Sequence, residues 1–387
     1  MKIVIDARMY GLEHTGIGRY VLNLINQIDQ VNSKNENQND GQKKNQYLVL
    51  LRRKYFDSLE FKSKNLKKVL SDSPHYSLKE QIFLPIQLFK LKPDLVHFPH
   101  FNLPWFYFGK YVVTIHDLIK HQSKGLRTTT HSPLTYWFKQ LLYFLTVLIA
   151  IKKAFKVITP SKWWQERLTR IYNLVPGKVV VTYEGVDDRF NLKNQKEPEK
   201  IFKKLGIKKP FVIYTGSLYP HKNVENLLKA VVLINKKFKK KINLVVVCSR
   251  NVFWQRFLEK VKELKAQDLV NLVGFVEDED LVSLYNQAET FVFPSFLEGF
   301  GLPGLEAMAV SLPVVASDSS CLPEIYGEAA VYFDPLNVEE IAQRIMEVIQ
   351  NDNLKQKLIK AGLEKVNQYS WTKMAKQTID IYNSLND

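Results

Sequence analysis

The sequence predicts an α/β protein made of two doubly wound domains, and three observations lead to that class. The chain has 387 residues, more than a single hydrophobic core usually organises. Short apolar runs of strand type alternate with helical patterns almost to the end. A polar stretch without strand pattern, "RFNLKNQKEPEKIFKKLGIKK" at residues 189–209, breaks the series near its middle and reads as a linker.

In chain order, "MKIVIDARMYG" opens with an apolar run too short for a signal peptide and interrupted by Asp6. It reads as a buried strand ending in a turn. The strands "QYLVLL", "DLVHF", "YVVTIHD", "FKVITPS" and "KVVVTYEG" follow, with helices such as residues 18–30 and 77–91 among them. Residues 32–46, "NSKNENQNDGQKKNQ", are polar and aperiodic and read as a surface loop. "LLYFLTVLIAI" at residues 141–151 is too short to cross a bilayer, which takes about 20 residues. A core helix is the first reading. A helix lying in a membrane surface is the second, because Tyr136, Trp137, Lys139, Lys152 and Lys153 flank it. After the linker come "PFVIYTG", "INLVVVCS", "LVNLVGF", "TFVFPS", "PVVAS" and "AAVYF", then an amphipathic helix at residues 370–385. The domains are thus placed at residues 1–195 and 196–370. Alternating strands and helices imply parallel sheets covered on both faces. Ligands of such sheets bind beyond the carboxyl ends of strands, so chemistry belongs on post-strand loops.

Composition narrows the partners. Hydrophobic residues make up 45% of the chain, an ordinary soluble globular proportion. The two cysteines, Cys248 and Cys321, lack metal-ligand spacing, which argues for a reducing cytosol and against a disulfide framework. The formal net charge of +16 favours polyanions: nucleic acid, anionic lipid or phosphorylated substrates. No zinc-finger, RRM or basic-zipper pattern accompanies the charge, so nucleic acid is disfavoured. The cluster "NKKFKKKIN" at residues 235–243 reads as a solvated helix end.

The most informative stretch is "FPSFLEGFGLPGLEAMAVSLPVV" at residues 293–315. A strand leads into "LEGFG", and Pro303 suits the first turn of the helix that follows. Glycines let backbone approach a ligand closely, and a helix start offers unpaired N–H groups to a phosphate. Glu306, about one turn inside, can accept bonds from ribose-like hydroxyls. Glu298, ahead of the helix, can take hydroxyls at another part of the ligand. A phosphate between two polyol ends describes a nucleotide-sugar. A solvated glutamate and a capping glutamate would explain either residue alone, but explain the pair, glycines and proline together poorly.

Three other loops bear on the same ligand. "FVIYTGSLYPHKN" sets Gly216 after a strand and Lys222 before a helix, where a cation is unfavourable against the dipole yet suits a diphosphate. In "DARMYGLEHTGIGRY", Gly16 and Gly18 open a helix after the first strand without forming GxGxxG. "VVTIHDLI" ends a strand with His116 and Asp117, a cleft-edge pair against which a satisfied core histidine competes.

These residues together resemble a family 4 glycosyltransferase of the GT-B fold. The E-x7-E motif from Glu298 to Glu306 is the most specific part, and "GSLYPHKN", "GIGRY" and "LPEIYGEAAVYFDP" (residues 322–335) agree in order and spacing. "GIGRY" and "TIHDLI" look most like bacterial O-antigen-type mannosyltransferases. The resemblance implies two Rossmann-like domains facing a central cleft, acceptor side first, with residues 371–387 returning to the first domain. It implies a nucleotide-sugar donor (GDP-mannose foremost), a saccharide or lipid-linked acceptor, retention of anomeric configuration, and neither metal nor cofactor. Glu298 would bind donor-sugar hydroxyls, and the N–H groups of Phe300, Gly301 and Leu302 would orient sugar and phosphate. Glu306 would hold the ribose, and Lys222 would stabilise the leaving diphosphate. Gly16 and Gly18 would let the first domain approach that diphosphate, His116 would border the sugar and acceptor path, and Phe275 would flank the base.

The chain departs from the family pattern at three places. His221 stands where Arg is frequent, which puts diphosphate binding or its pH dependence in question. Ser311 and Cys248 stand where Gly is usual or frequent. The competing readings are a metal-dependent transferase using Asp278 and Asp280 of "EDED", a glycosidase with paired carboxylates, a nucleotide-sugar epimerase, and a non-catalytic nucleotide-sugar-binding protein. "EDED" reads better as a helix N-terminus. A lipid-linked acceptor would bring the basic chain to an anionic membrane surface of the inner face. The candidate contacts are Arg52, Arg53, Lys54, Lys67 and Lys68, with the aromatics of residues 101–111.

Overall fold

The computed structural model of the chain describes residues 1–11, 15–37, 45–122, 133–190, 198–238, 241–250 and 252–385. It divides into two compact units. The first holds Met1–His121, Thr129–Glu184 and Ser370–Asp387, and the second holds Gly185–Tyr369.

The first unit runs β1 (Lys2–Asp6), α1 (Thr15–Asn37), β2 (Gln46–Leu51), α2 (Arg53–Phe56), β3 (Leu66–Leu70), α3 (Leu78–Leu91), β4 (Leu95–Phe98), β5 (Tyr111–Thr114), α4 (Ile119–Gln122), α5 (Pro133–Lys153), β6 (Lys156–Thr159), α6 (Lys162–Tyr172) and β7 (Val179–Val181). Its seven strands pair in the order β3-β2-β1-β4-β5-β6-β7, and all the pairs are parallel. The second unit runs α7 (Pro198–Leu205), β8 (Phe211–Thr215), α8 (Val224–Lys237), β9 (Asn243–Val247), α9 (Val252–Glu263), β10 (Val270–Gly274), α10 (Asp278–Gln287), β11 (Phe291–Phe293), α11 (Leu302–Ala309), β12 (Val314–Ser317), α12 (Leu322–Tyr326), β13 (Ala330–Phe333), α13 (Val338–Gln350) and α14 (Asp352–Val366). Its six strands pair in parallel in the order β10-β9-β8-β11-β12-β13.

Central strands such as "VVV" of β9 are buried on both faces, as a parallel sheet between helix layers requires. Each sheet has a switch point where the order reverses: between β1 and β4 in one, between β8 and β11 in the other. Loops leaving those strands surround the crevice where doubly wound sheets take ligands.

Three expectations need correcting. β3 carries two lysines in "LKKVL" at the sheet edge, where charges discourage further pairing, and it lacks the apolar run that marked the other strands. α1 continues to Asn37, so the first part of the expected loop is helical, and residues 38–44 lie outside the described residues. The expected linker contains α7, whose Ile201 is buried; residues 191–197 lie outside the described residues.

The last helix, α15 (Trp371–Asn383), belongs to the first unit. Its cap is Ser370, whose side chain accepts from the Lys373 N–H. Trp371 meets the Tyr20 ring edge-on at 6.5 Å between centroids. Tyr382 Oη lies 2.6 Å from His97 Nδ1, and His97 Nε2 lies 2.8 Å from Thr114 Oγ1. Burial, followed by the nearby His116, pushes the His97 pKa down to about 3, so its ring works there as a neutral bridge between sheet and helix.

Candidate active site

In the second unit the loops after β8 and β11 meet. Pro220–Lys222 form a single 3-10 turn, and Asn223 then takes a left-handed φ of 56°. Its amide holds that turn in place by donating to the carbonyls of Pro294 (3.0 Å) and Pro335 (2.8 Å). From the facing loop, Phe296 N donates to His221 O at 2.9 Å. Lys222 is thereby delivered to Glu298: its ammonium lies 2.7 Å from Oε1 and 2.8 Å from Oε2. The two side chains are 17% and 8% exposed, so the pair is shielded yet open to small molecules. An ammonium has three donors, and Glu298 uses two. Gly216 follows β8 directly and donates its N–H to Val247 O at 3.0 Å.

The backbone of "LEGFGLPG" is shaped by Tyr326. Gly301 caps α11 with φ 92°, and a Cβ there would come within 2.6 Å of Tyr326 Oη and 2.7 Å of Leu322 Cδ2. Tyr326 is fully buried and donates to the Gly301 carbonyl. Gly304 presses on the same phenol. Any side chain at these positions would push the loop away from the helix start. The Leu302 and Pro303 positions open α11, and Glu306 sits one turn in, 4% exposed. Phe300 is buried, its ring edge-on to Tyr369 at 5.3 Å. Ser320 Oγ accepts from the Glu298 N–H at 3.1 Å, and Cys321 donates to its carbonyl.

Arg189 was hidden in the expected linker, where only its charge marked it. Its guanidinium pairs with Asp187 and, at 2.8 Å, with Asp278. Its pKa is raised, first by the Asp187 hydrogen bond and further by the charges of Asp187, Asp278 and Glu306. Asp278 and Asp280 lie in the first turn of α10, as expected for a helix start. Phe275, just past β10, is 73% exposed. His221 stacks beside Tyr219, and burial, then the Lys222 charge, push its pKa down to about 4. At neutral pH it therefore brings no positive charge to the free loop. Ser311 has φ 62°, a conformation that glycine adopts without strain.

The first unit holds the remaining predicted residues. Gly16 and Gly18 lie in the first turn of α1; Gly18 is buried, and Gly16 is exposed. Among the described residues, a Cβ on Gly16 would meet nothing within 4 Å. His116 follows β5, with Nε2 3.0 Å from Pro99 O and Nδ1 3.3 Å from Glu184 Oε1. Its ring meets Tyr20 edge-on at 4.7 Å. Among the described residues no cluster of His, Cys, Asp and Glu has the arrangement of a metal centre.

Comparisons with known proteins place these features. Residues 197–365 match the family described as Glycosyl transferases group 1, and residues 57–190 match Glycosyltransferase Family 4. The chain is 27% identical over 412 residues to O-antigen chain mannosyltransferase B of Escherichia coli, covering 100% of both chains. Sucrose-phosphate synthase from Thermosynechococcus elongatus superposes with a TM-score of 0.72 at 20% identity, covering 100% of this chain and 99% of that one. HepE of Anabaena, solved in complex with UDP and glucose, gives 0.72 at 17% identity, covering 99% and 100%. The two parallel sheets, their order and these matches agree: the chain carries a Glycosyltransferase Family 4 domain in its first half and a Glycosyl transferases group 1 domain in its second, and is a glycosyltransferase of the GT-B fold.

Proposed function

We propose that the protein transfers mannose from GDP-mannose to a saccharide or lipid-linked saccharide, with retention of configuration and without a metal. The observation that carries this reading is the Lys222–Glu298 pair beside the glycine-shaped start of α11. As the bond from the sugar C1 to the phosphate oxygen breaks, its electron pair passes to the diphosphate. The Lys222 ammonium meets that growing charge with its third donor, and the N–H groups of Phe300, Gly301 and Leu302 at the start of α11 add theirs. Glu298, held by Lys222, turns toward the sugar hydroxyls. The acceptor hydroxyl attacks C1 on the same face and gives its proton to the leaving phosphate. Glu306 holds the ribose, Phe275 flanks the base, and Gly216 keeps the post-β8 loop close to the phosphates. In the first unit, Gly16 and Gly18 give the start of α1 its backbone freedom toward a phosphate, and His116, just after β5, is the acceptor-side residue. The mannosyl choice rests on the full-length similarity to the O-antigen enzyme. Asp278 is already paired with Arg189, which supports a metal-free reaction. A lipid-linked acceptor would place the enzyme at an anionic membrane surface.

Thermal unfolding with a panel of nucleotide-sugars tests the donor. A donor at a hundred times its Kd adds about 2.7 kcal/mol of stability. GDP-mannose should give the largest shift, and EDTA should leave transfer intact. Glu306→Ala should weaken donor binding by about 1.5–3 kcal/mol, the worth of a charge-assisted hydrogen bond. Unchanged donor affinity in the folded variant, or a rate that collapses in EDTA and returns with magnesium, would overturn the assignment.

A further inference from the structure

Of the twenty large apolar side chains exposed among the described residues, thirteen lie between Tyr76 and Leu148. That interval is less than a fifth of the 387-residue chain, so the exposure is concentrated. It falls on three adjoining pieces of the first unit. α3 buries Leu84 and Leu88 on one side yet shows Phe83 (58% exposed) and Phe89 (81%) on the other. A helix apolar all round is normally covered. α5, read from sequence first as a core helix and second as one lying in a membrane surface, turns Trp137 (59%), Phe138 (61%) and Leu141 (56%) outward. Between them, the loop after β4 exposes Phe108 (82%). Hydrogen bonds join the three: Trp105 N donates to Gln81 Oε1 of α3 at 2.9 Å, and Trp105 Nε1 donates to Thr146 Oγ1 of α5 at 3.0 Å.

The charges on these pieces have one sign. Lys79, Lys90, Lys110, Lys139, Lys152 and Lys153 are exposed, and Lys153 lies over the Phe108 ring. The only acid in α3, α5 and residues 101–110 is Glu80, which is fully buried beside Arg8. Aromatic and aliphatic side chains ringed by lysine match the interface of an anionic bilayer. A second copy of the chain fits poorly, because a two-fold interface would set this uniformly basic face against itself.

We propose that the face formed by α3, the post-β4 loop and α5 docks the enzyme on an anionic lipid surface. This deepens the reading of the acceptor as lipid-linked and rests on it. Of the contacts expected from sequence, the exposed Phe106 and Phe108 belong to this face; Arg52, Arg53 and Lys54 lie at α2, and Lys67 and Lys68 on β3. No described helix is long and apolar enough to span a membrane, so the attachment is by a face.

Co-sedimentation with vesicles of phosphatidylcholine alone, or with about a third phosphatidylglycerol, tests this. The wild type should pellet with the anionic vesicles and be released by salt, because screening shortens the reach of the lysines. Neutralising three lysines (Lys79→Gln, Lys90→Gln, Lys110→Gln) should weaken binding about a hundredfold, at about fivefold for each. The variant Phe83→Ser, Phe89→Ser, Trp137→Ser should lose binding even at low salt while keeping its unfolding temperature and its rate on a short soluble acceptor. Failure of the wild type to bind anionic vesicles, equal binding to both vesicle types, or a dimer broken by the serine variant in place of lipid binding would overturn the proposal. The vesicle measurement does not use turnover, so it stands or falls separately from the transfer reaction.

Discussion

Two ion groups sit beyond strand ends at the two switch points, one in each unit, and they are built differently. After β1, Arg8 is 1% exposed and fully engaged: it pairs with Asp6 through Nε and Nη2, with Glu80 at 2.7 Å, and donates to Ser73 O. Glu80 also accepts from Asn102 and from the Tyr76 N–H, both at 2.8 Å. Burial acts to raise the pKa values of Asp6 and Glu80. At Asp6, Arg8 with help from His75 more than offsets it; at Glu80 a His75 hydrogen bond, then Arg8, does so, and both carboxyls are held below the usual range. The Lys222–Glu298 pair is smaller, partly open, and leaves one ammonium donor over. The difference teaches how to separate structural ions from working ones. A planar fork satisfied on every side holds loops together, whereas a point charge with a donor left over can take a second anion.

Breaking each group should therefore show in a different measurement. The largest effect is on folding: Arg8→Met leaves two buried carboxylates without their cation and should cost about 3–5 kcal/mol, read in urea unfolding. A loss below about 1 kcal/mol would mean that water reaches the cluster and that the contrast drawn here is wrong. Lys222→Ala should instead lower transfer by about a hundred- to a thousandfold, as for removal of one donor from a developing charge. Donor affinity should fall less, since the ammonium acts most on the breaking bond. A variant that keeps full turnover would make Lys222–Glu298 another structural pair. The smallest effect sharpens the backbone around the site. Ser311→Gly relieves a left-handed φ of 62° and should stabilise the protein by up to about 1 kcal/mol, measured as a rise in Tm. A fall in Tm would show that the hydroxyl contributes more than the strain removes.

Much of this was legible in the sequence, for identifiable reasons. The six strands of the second unit read clearly because strands buried on both faces are continuous runs of Val, Leu and Phe, as in "LVVV" and "FVF". Glu298, Gly301 and Lys222 stood out because glycine, proline and charge at a strand end have few packing explanations. β3 did not, since an edge strand is free to carry lysines. The Lys222–Glu298 bond spans 76 residues and exists because β8 and β11 are neighbours, an adjacency that strand order decides and local pattern does not. Arg8 and Glu80, 72 residues apart, were invisible for the same reason. The outward side of α3 was not legible because Phe83 and Phe89, which face out, are as apolar as Leu84 and Leu88, which face in.

The path of the chain also bears on synthesis. Gly185–Tyr369 make up nearly all of the second unit, whereas the first unit is completed by Ser370–Asp387, which follow the second unit in the chain. A ribosome releases residues in order, so the second unit can close on itself while the first still waits. Until Tyr382 emerges, His97 lacks the phenol that meets its Nδ1. The N-terminal half of this enzyme is therefore the last to become native, and a nascent chain stalled short of α15 would hold a finished second unit joined to an unfinished first.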